Sequence, residues 1–220
     1  MYYFCSLMKD TKLQILDTAI RLFNESGFKN IALGQIASEL GISKGNITYH
    51  FNKKDDLMLA IFRAMDEELE GVISRFKSYP SLNDIIEQTN IFYYFQLRYK
   101  FFYLDILEIV RDYPEIAKAH HEYSMRSIQH IRASFDYCAG RGVFRMEPFP
   151  DAYDYLAHTV WMKGAFWLLQ MEVLQKDCKD IEAFTNSFTS LWYPYLTDKG
   201  LGELKSNGKV ALARASTTIG

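Results

Sequence analysis

The chain has 220 residues, with 25 Lys plus Arg against 27 Asp plus Glu and a formal net charge of -2. That balance excludes a polybasic nucleic-acid coat, so any DNA contact must come from a local cluster of positive charge. Hydrophobic residues at 49% and charged residues at 24% suit a soluble globular chain of one large or two small domains.

The few prolines and glycines fall at plausible boundaries, and no alternating strand pattern has useful length. Over residues 9–26, Leu13, Leu16, Ile20 and Phe23 recur three or four apart, the stripe of one helix face, and Gly27 stops it. A short helix over 33–40 buries Leu33, Ile36, Ala37 and Leu40. Gly41 and Ile42 make a tight turn, and Ser43 caps a third helix over 44–50. After a break at 52–54, Asp55 and Asp56 suit the positive end of a long helix reaching about residue 77, closed by Tyr79-Pro80. Further helices are expected over 85–98, 101–111, 114–139, 151–176 and 181–193. Residues from 198 on are rich in Gly, Ser, Lys and Thr and read as a tail. The expected organisation is therefore 1–54, a linking helix 55–79, a larger helical domain 80–197 and a tail 198–220.

Three cysteines, Cys5, Cys138 and Cys178, form neither a disulfide framework nor a zinc pattern and fit a reducing compartment. The apolar opening lacks a basic n-region, and Met8 is an alternative start. The stretch richest in apolar residues, 91–110, is broken by Gln96, Arg98, Lys100, Asp105 and Glu108, which argues against a membrane span. These readings point to a cytoplasmic protein.

The segment 36–51 carries the function. Two short helices joined by a Gly-containing turn form a helix-turn-helix. Ala37 lets the helices approach, Gly41 supplies the turn, and Ile42 and Ile47 fill the gap between them. The outer face of the second helix is left with Ser43, Lys44, Asn46, Thr48, Tyr49 and His50. Asn pairs with adenine, Thr offers a hydroxyl and a methyl, and Lys reaches guanine or phosphate. Between Glu39 and Asp55 there are three lysines and no acid. Lys53 and Lys54 stand at a helix start, where free N–H groups also favour phosphate.

The run from Gly41 to Phe51, followed by Lys53-Lys54-Asp55-Asp56-Leu57, resembles the TetR (tetracycline-repressor-like) family. The preceding Ala19, Leu22, Phe23 and Gly27-Phe28 are similar to that family's first helix. The resemblance implies an all-α fold: an N-terminal three-helix helix-turn-helix DNA-binding domain plus a larger helical ligand-binding and dimerisation domain. It places Lys44, Asn46, Thr48, Tyr49 and His50 on the recognition helix, and Lys53 and Lys54 at a phosphate-contacting position. Two departures stand out: Ala32 where the family often has a capping Thr, and Thr48 where an aromatic is common. The implied partners are double-stranded operator DNA, a second copy of the chain and a small apolar or aromatic effector. No cofactor and no metal are implied.

Phe95, Tyr99, Tyr103 and Trp161 are candidate effector-pocket residues, with ordinary helical core as the alternative and the better reading for most of the aromatic run. Trp167, Phe184, Phe188 and Trp192 are candidates for a homodimer interface built as a four-helix bundle, with internal core as the alternative. His120-His121-Glu122 lacks helical ligand spacing, and no catalytic triad or carboxylate pair stands out, so an enzyme is not expected. The reading is a sequence-specific regulator, a repressor released from a pseudo-palindromic operator by its effector. The alternatives are a helical interaction module whose DNA head acts only with a partner, and a helical enzyme.

Overall fold

A computed structural model describes residues 11–73 and 79–206. The start at Met1 or Met8, Cys5, residues 74–78 of the expected linking helix and residues 207–220 of the expected tail lie outside the described residues. Those described form eleven α-helices and two 3-10 turns, with one isolated antiparallel bridge between Phe144 and Leu196.

The chain divides into two compact units, and the division is not the expected one. The N-terminal unit comprises residues up to Gly71 together with Arg98–Ile116. Its helices are α1 (Thr11–Ser26), α2 (Leu33–Leu40), α3 (Lys44–His50), α4 (Lys54–Ile73), α6 (Lys100–Leu104) and α7 (Ile106–Asp112). The apolar stripe of α1 buries Ile15, Leu16, Ala19, Ile20 and Phe23. Phe23 meets Phe28 and Phe101 edge-on, each at 5.3 Å, and Phe62 of α4 lies 5.9 Å from Phe102. Five rings from three stretches of chain therefore share one core, and residues 98–116 belong to it. The single helix expected over 101–111 is broken at Asp105, whose carboxylate accepts from the Phe28 N–H at 3.4 Å.

Polar bonds fix the same segment. Asn24 donates through Nδ2 to the Arg98 carbonyl and accepts through Oδ1 from the Phe101 N–H, both at 2.8 Å. The Tyr99 hydroxyl donates to Glu68 at 2.8 Å, and the Tyr113 hydroxyl donates to Asp55 at 2.9 Å. Burial first, then these carboxylates, push both phenol pKa values up, so they remain donors. Arg98 pairs with Asp17 and Glu68 at 3.5 and 3.3 Å.

The C-terminal unit comprises Val72–Leu97 and residues from Ala117 on. It holds most of α5 (Leu82–Arg98) and α8 (Pro114–Gly140), and all of α9 (Ala152–Val173), α10 (Ile181–Trp192) and α11 (Asp198–Ser206). One core cluster joins Leu82, Phe135, Phe144, Tyr153, Trp192 and Leu204. Helix α11 departs from the expected tail because it is docked by specific contacts. Leu204 is 1% exposed, and Glu203 accepts from the Leu82 N–H and from Arg141, both at 2.9 Å. A Cβ at Gly200 would stand 2.3 Å from the Val143 carbonyl oxygen, so only glycine allows that approach.

Candidate nucleic-acid interface

The helix-turn-helix is built by short-range contacts. At the end of α2, Gly41 takes φ 66°, in the left-handed region. The Ile42 N–H then reaches back to the Ala37 carbonyl at 3.0 Å and closes the helix end. Ser43 caps α3, its Oγ accepting from the Asn46 N–H at 3.1 Å. At the start of α2, Ala32 has no side chain to cap with, and Gln35 does part of the work by accepting from the Ala32 N–H at 2.7 Å. Ile36, Ala37 and Ile47 are buried and hold the two helices together.

With Ile47 inward, α3 turns Ser43, Lys44, Asn46 and Tyr49 to solvent, with Thr48 and His50 half-buried. Tyr49 is 86% exposed and meets the His50 ring edge-on at 5.2 Å. A large aromatic left that open on a short helix buries little of its surface. The Thr48 hydroxyl bonds back to the Lys44 and Gly45 carbonyls, at 3.0 and 3.1 Å. Its methyl is therefore the group left to offer a partner.

The two lysines at the start of α4 separate sharply. Lys53 is exposed, paired loosely with Asp55 at 3.7 Å. Lys54 turns inward: its ammonium donates to the Phe28 carbonyl at 2.5 Å and lies 4.2 Å from the centre of the Phe28 ring. Burial lowers its pKa, with Asp55 acting in the opposite sense. The phosphate contact expected of Lys54 conflicts with this placement, because its charge is already engaged by a carbonyl and a ring face.

Of the candidate pocket residues, Phe95 and Trp161 lie in the C-terminal unit, whereas Tyr99 and Tyr103 are buried in the N-terminal unit. The candidate interface residues Trp167, Phe184, Phe188 and Trp192 are all buried within the chain itself, where Trp167 meets Phe184 edge-on at 5.2 Å. The outer surface of α9 instead carries Tyr155, Met162, Phe166 and Val173. Apolar residues run all round α9, so sequence alone does not separate its inward face from its outward one. Among the described residues no cluster of His, Cys, Asp and Glu could hold a metal, and no helix is long and apolar enough to cross a membrane. Asn24, Arg98 and Tyr113, which tie residues 98–116 to α1 and α4, carry no local sequence signal, because their partners lie 30 to 81 positions away in the chain.

Comparison with known proteins agrees with this architecture. Residues 15–61 match the family model described as bacterial regulatory proteins, tetR family, and residues 57–204 match the TetR model described as bacterial transcriptional repressor. The transcriptional regulator AcrR of Shigella flexneri is 36% identical over 61 residues, 28% of each chain. The regulator YerO of Bacillus subtilis is 45% identical over 53 residues, 24% of this chain and 18% of its own. The matched stretches thus span under a third of these two relatives. Among solved structures, a TetR-family regulator from Marinobacter aquaeolei superposes with a TM-score of 0.78 at 23% identity, covering 90% of this chain and 98% of its own. A transcriptional regulator from Saccharomonospora viridis, solved in complex with choline, gives 0.67 at 22% identity, covering 84% and 97%. With both halves of the sequence matched by the family and a helix-turn-helix exposing a polar face, the chain belongs to the TetR family of DNA-binding transcriptional regulators, not to a family of enzymes.

Proposed function

We propose that this chain is a homodimeric repressor that grips a pseudo-palindromic operator through two copies of α3 and releases it when a small apolar or aromatic effector occupies the C-terminal unit. The observation that carries the reading is the outward face of α3, where Lys44, Asn46 and Tyr49 stand exposed, with Lys53 exposed just before α4. Asn46 and Lys44 read base edges, Tyr49 and Lys53 hold the phosphate backbone, and the Thr48 methyl meets a thymine. Two-fold symmetry of the protein then requires two-fold symmetry of the site. The outer stripe of α9, with Tyr155, Met162, Phe166 and Val173, supplies the apolar face for the second copy. The Saccharomonospora viridis regulator, of the same fold, was solved in complex with choline, so this fold can hold a small molecule. An effector lowers operator affinity only by binding more tightly to the arrangement that does not fit DNA.

Selection of bound sequences from a random DNA pool by the purified chain, at stated salt, tests the reading. Enrichment of a two-fold symmetric site is the expected outcome, and Asn46→Ala should cost about 1–3 kcal/mol and relax one position. Absence of any enriched sequence would overturn it.

A further inference from the structure

Within the C-terminal unit, Oε1 of Gln96 on α5 and Nε1 of Trp167 on α9 are buried polar atoms with no hydrogen-bond partner among the described residues. Gln96 is 1% exposed and Trp167 is 6% exposed. Such groups are rare in folded proteins because leaving water without a replacement partner is costly. The orientation of the glutamine is fixed by its other end: Nε2 donates to the Gly164 carbonyl at 2.6 Å. A carbonyl can only accept, so the amide nitrogen must face it and the oxygen is left over. Gly164 and Trp167 are three residues apart on α9, on the same face of the helix. The residue that Gln96 binds and the residue that carries the lone donor therefore stand within about one turn of each other on α9.

Their surroundings are aromatic. A Cβ at Gly164 would come within 3.1 Å of the Phe92 ring and 3.7 Å of the Phe188 ring. Phe184 packs edge-on against Trp167 and lies 4.6 Å from Phe188 and 5.1 Å from Tyr93. Lys163 stands 5.2 Å from the Trp167 ring and adds a donor, not an acceptor.

We propose that Gln96 and Trp167 are the polar contacts of a ligand site on the α5–α9–α10 contact, and that its ligand is a small uncharged aromatic molecule bearing one hydroxyl group. The proposal deepens the preceding section and rests on its reading that the C-terminal unit holds the effector. The hydroxyl donates to Gln96 Oε1 and accepts from Trp167 Nε1, satisfying both atoms with one group. A carboxylate serves Trp167 but sets its charge against the Gln96 oxygen, and a hydrocarbon leaves both atoms unpaired. The rings of Phe92, Phe184 and Phe188 favour an aromatic body over a sugar or a polyamine.

Titration calorimetry on the full chain without DNA tests this, with p-cresol, toluene and p-toluate as probes up to about 5 mM. The expected result is p-cresol binding at least about ten-fold more tightly than either analogue. Gln96→Leu is close to isosteric and Trp167→Phe keeps an aromatic ring; each removes the polar atom in question, and each should erase most of the preference. Thermal melting checks that both variants fold, and either one alone suffices to read the effect. No binding of p-cresol, equal binding of p-cresol and toluene, or a preference that survives in a folded variant would overturn the proposal. Operator affinity is measured separately with and without p-cresol. Selective binding that leaves operator affinity unchanged would uphold the site and refute its role as the effector site. An enriched operator with no p-cresol binding would refute the site and leave the regulator reading standing.

Discussion

Lys53 and Lys54 are adjacent and carry the same charge, yet one is exposed and the other turns inward, and the pair Lys53→Ala and Lys54→Ala tests whether their roles differ accordingly. The Lys54 ammonium donates to the Phe28 carbonyl and lies over its ring at 4.2 Å. A hydrogen bond involving a charged group contributes about 1.5–3 kcal/mol, and a partly desolvated cation over a ring about 0.5–2 kcal/mol. Burial of the ammonium offsets part of this, so Lys54→Ala should cost about 2 kcal/mol and lower the melting temperature by about 4–8 °C in a chain of this size. Lys53 has only an exposed pair with Asp55 at 3.7 Å, so its removal should move the melting temperature by no more than about 1 °C. On DNA the order reverses. Fluorescence anisotropy on a fixed duplex between about 50 and 200 mM salt gives the slope of log affinity against log salt. Lys53→Ala should flatten that slope by about one unit per bound protomer, and Lys54→Ala should leave it unchanged. A Lys54→Ala variant that melts like the parent and loses salt dependence would refute the assignment, because it would mean that Lys54 leaves Phe28 for phosphate.

Four further outcomes follow from other contacts. Asn24→Ala strips the Phe101 N–H of its acceptor, so it should destabilise the chain by about 1–3 kcal/mol in urea, and an unchanged midpoint would count against the Asn24 bridge. The His120 imidazole is held neutral by burial down to about pH 4, whereas the unfolded chain protonates it near pH 6.5. Between those values the unfolded state binds more protons, so stability falls as pH drops and about 3 kcal/mol is lost by pH 4. His120→Gln should show a smaller difference between urea midpoints at pH 7 and 4.5, and an equal difference would refute this. Gly200→Ala should cost about 1–3 kcal/mol through its clash with the Val143 carbonyl, while Gly202→Ala on the same helix meets nothing within 4 Å and should be neutral or mildly stabilising. Met162→Glu with Phe166→Glu should halve the mass seen by sedimentation, because both side chains are exposed on the outer stripe of α9, and a persistent dimer would place the interface elsewhere.

What could be read from the sequence was what short-range chemistry decides. The Gly41 turn, the Ser43 cap and the inward Ile47 each depend on neighbours within about one turn, and all three stand in the structure as the sequence implies. The outer face of α3 follows from them, because once Ile47 points inward the helix period fixes the rest. Lys54 was different: its inward turn depends on Phe28, 26 residues earlier in sequence. Tyr99 and Tyr103 sit in an aromatic run that continues from α5, and nothing local says that the chain changes unit between Leu97 and Arg98. The bulky residues of α9 and α10 posed a harder problem, since a tryptophan buried in one chain and one buried between two chains have the same composition signature. Helix α11 was masked by its glycines, which read as a loop until Gly200 is seen against Val143.

The chain passes between its two units three times, after Gly71, after Leu97 and after Ile116. A gene fusion joining residues 1–79 to a foreign sensor would carry α3 and Lys53 but leave Tyr99, Phe101 and Phe102 behind. Phe23 would lose Phe101, Phe62 would lose Phe102, and Asp55 would lose Tyr113. Exchange of DNA specificity by recombination therefore needs residues 98–116 to travel with the head, as two inserts and not one. Single-crossover shuffling would yield unstable hybrids, whereas point changes on the open face of α3 leave that shared core untouched.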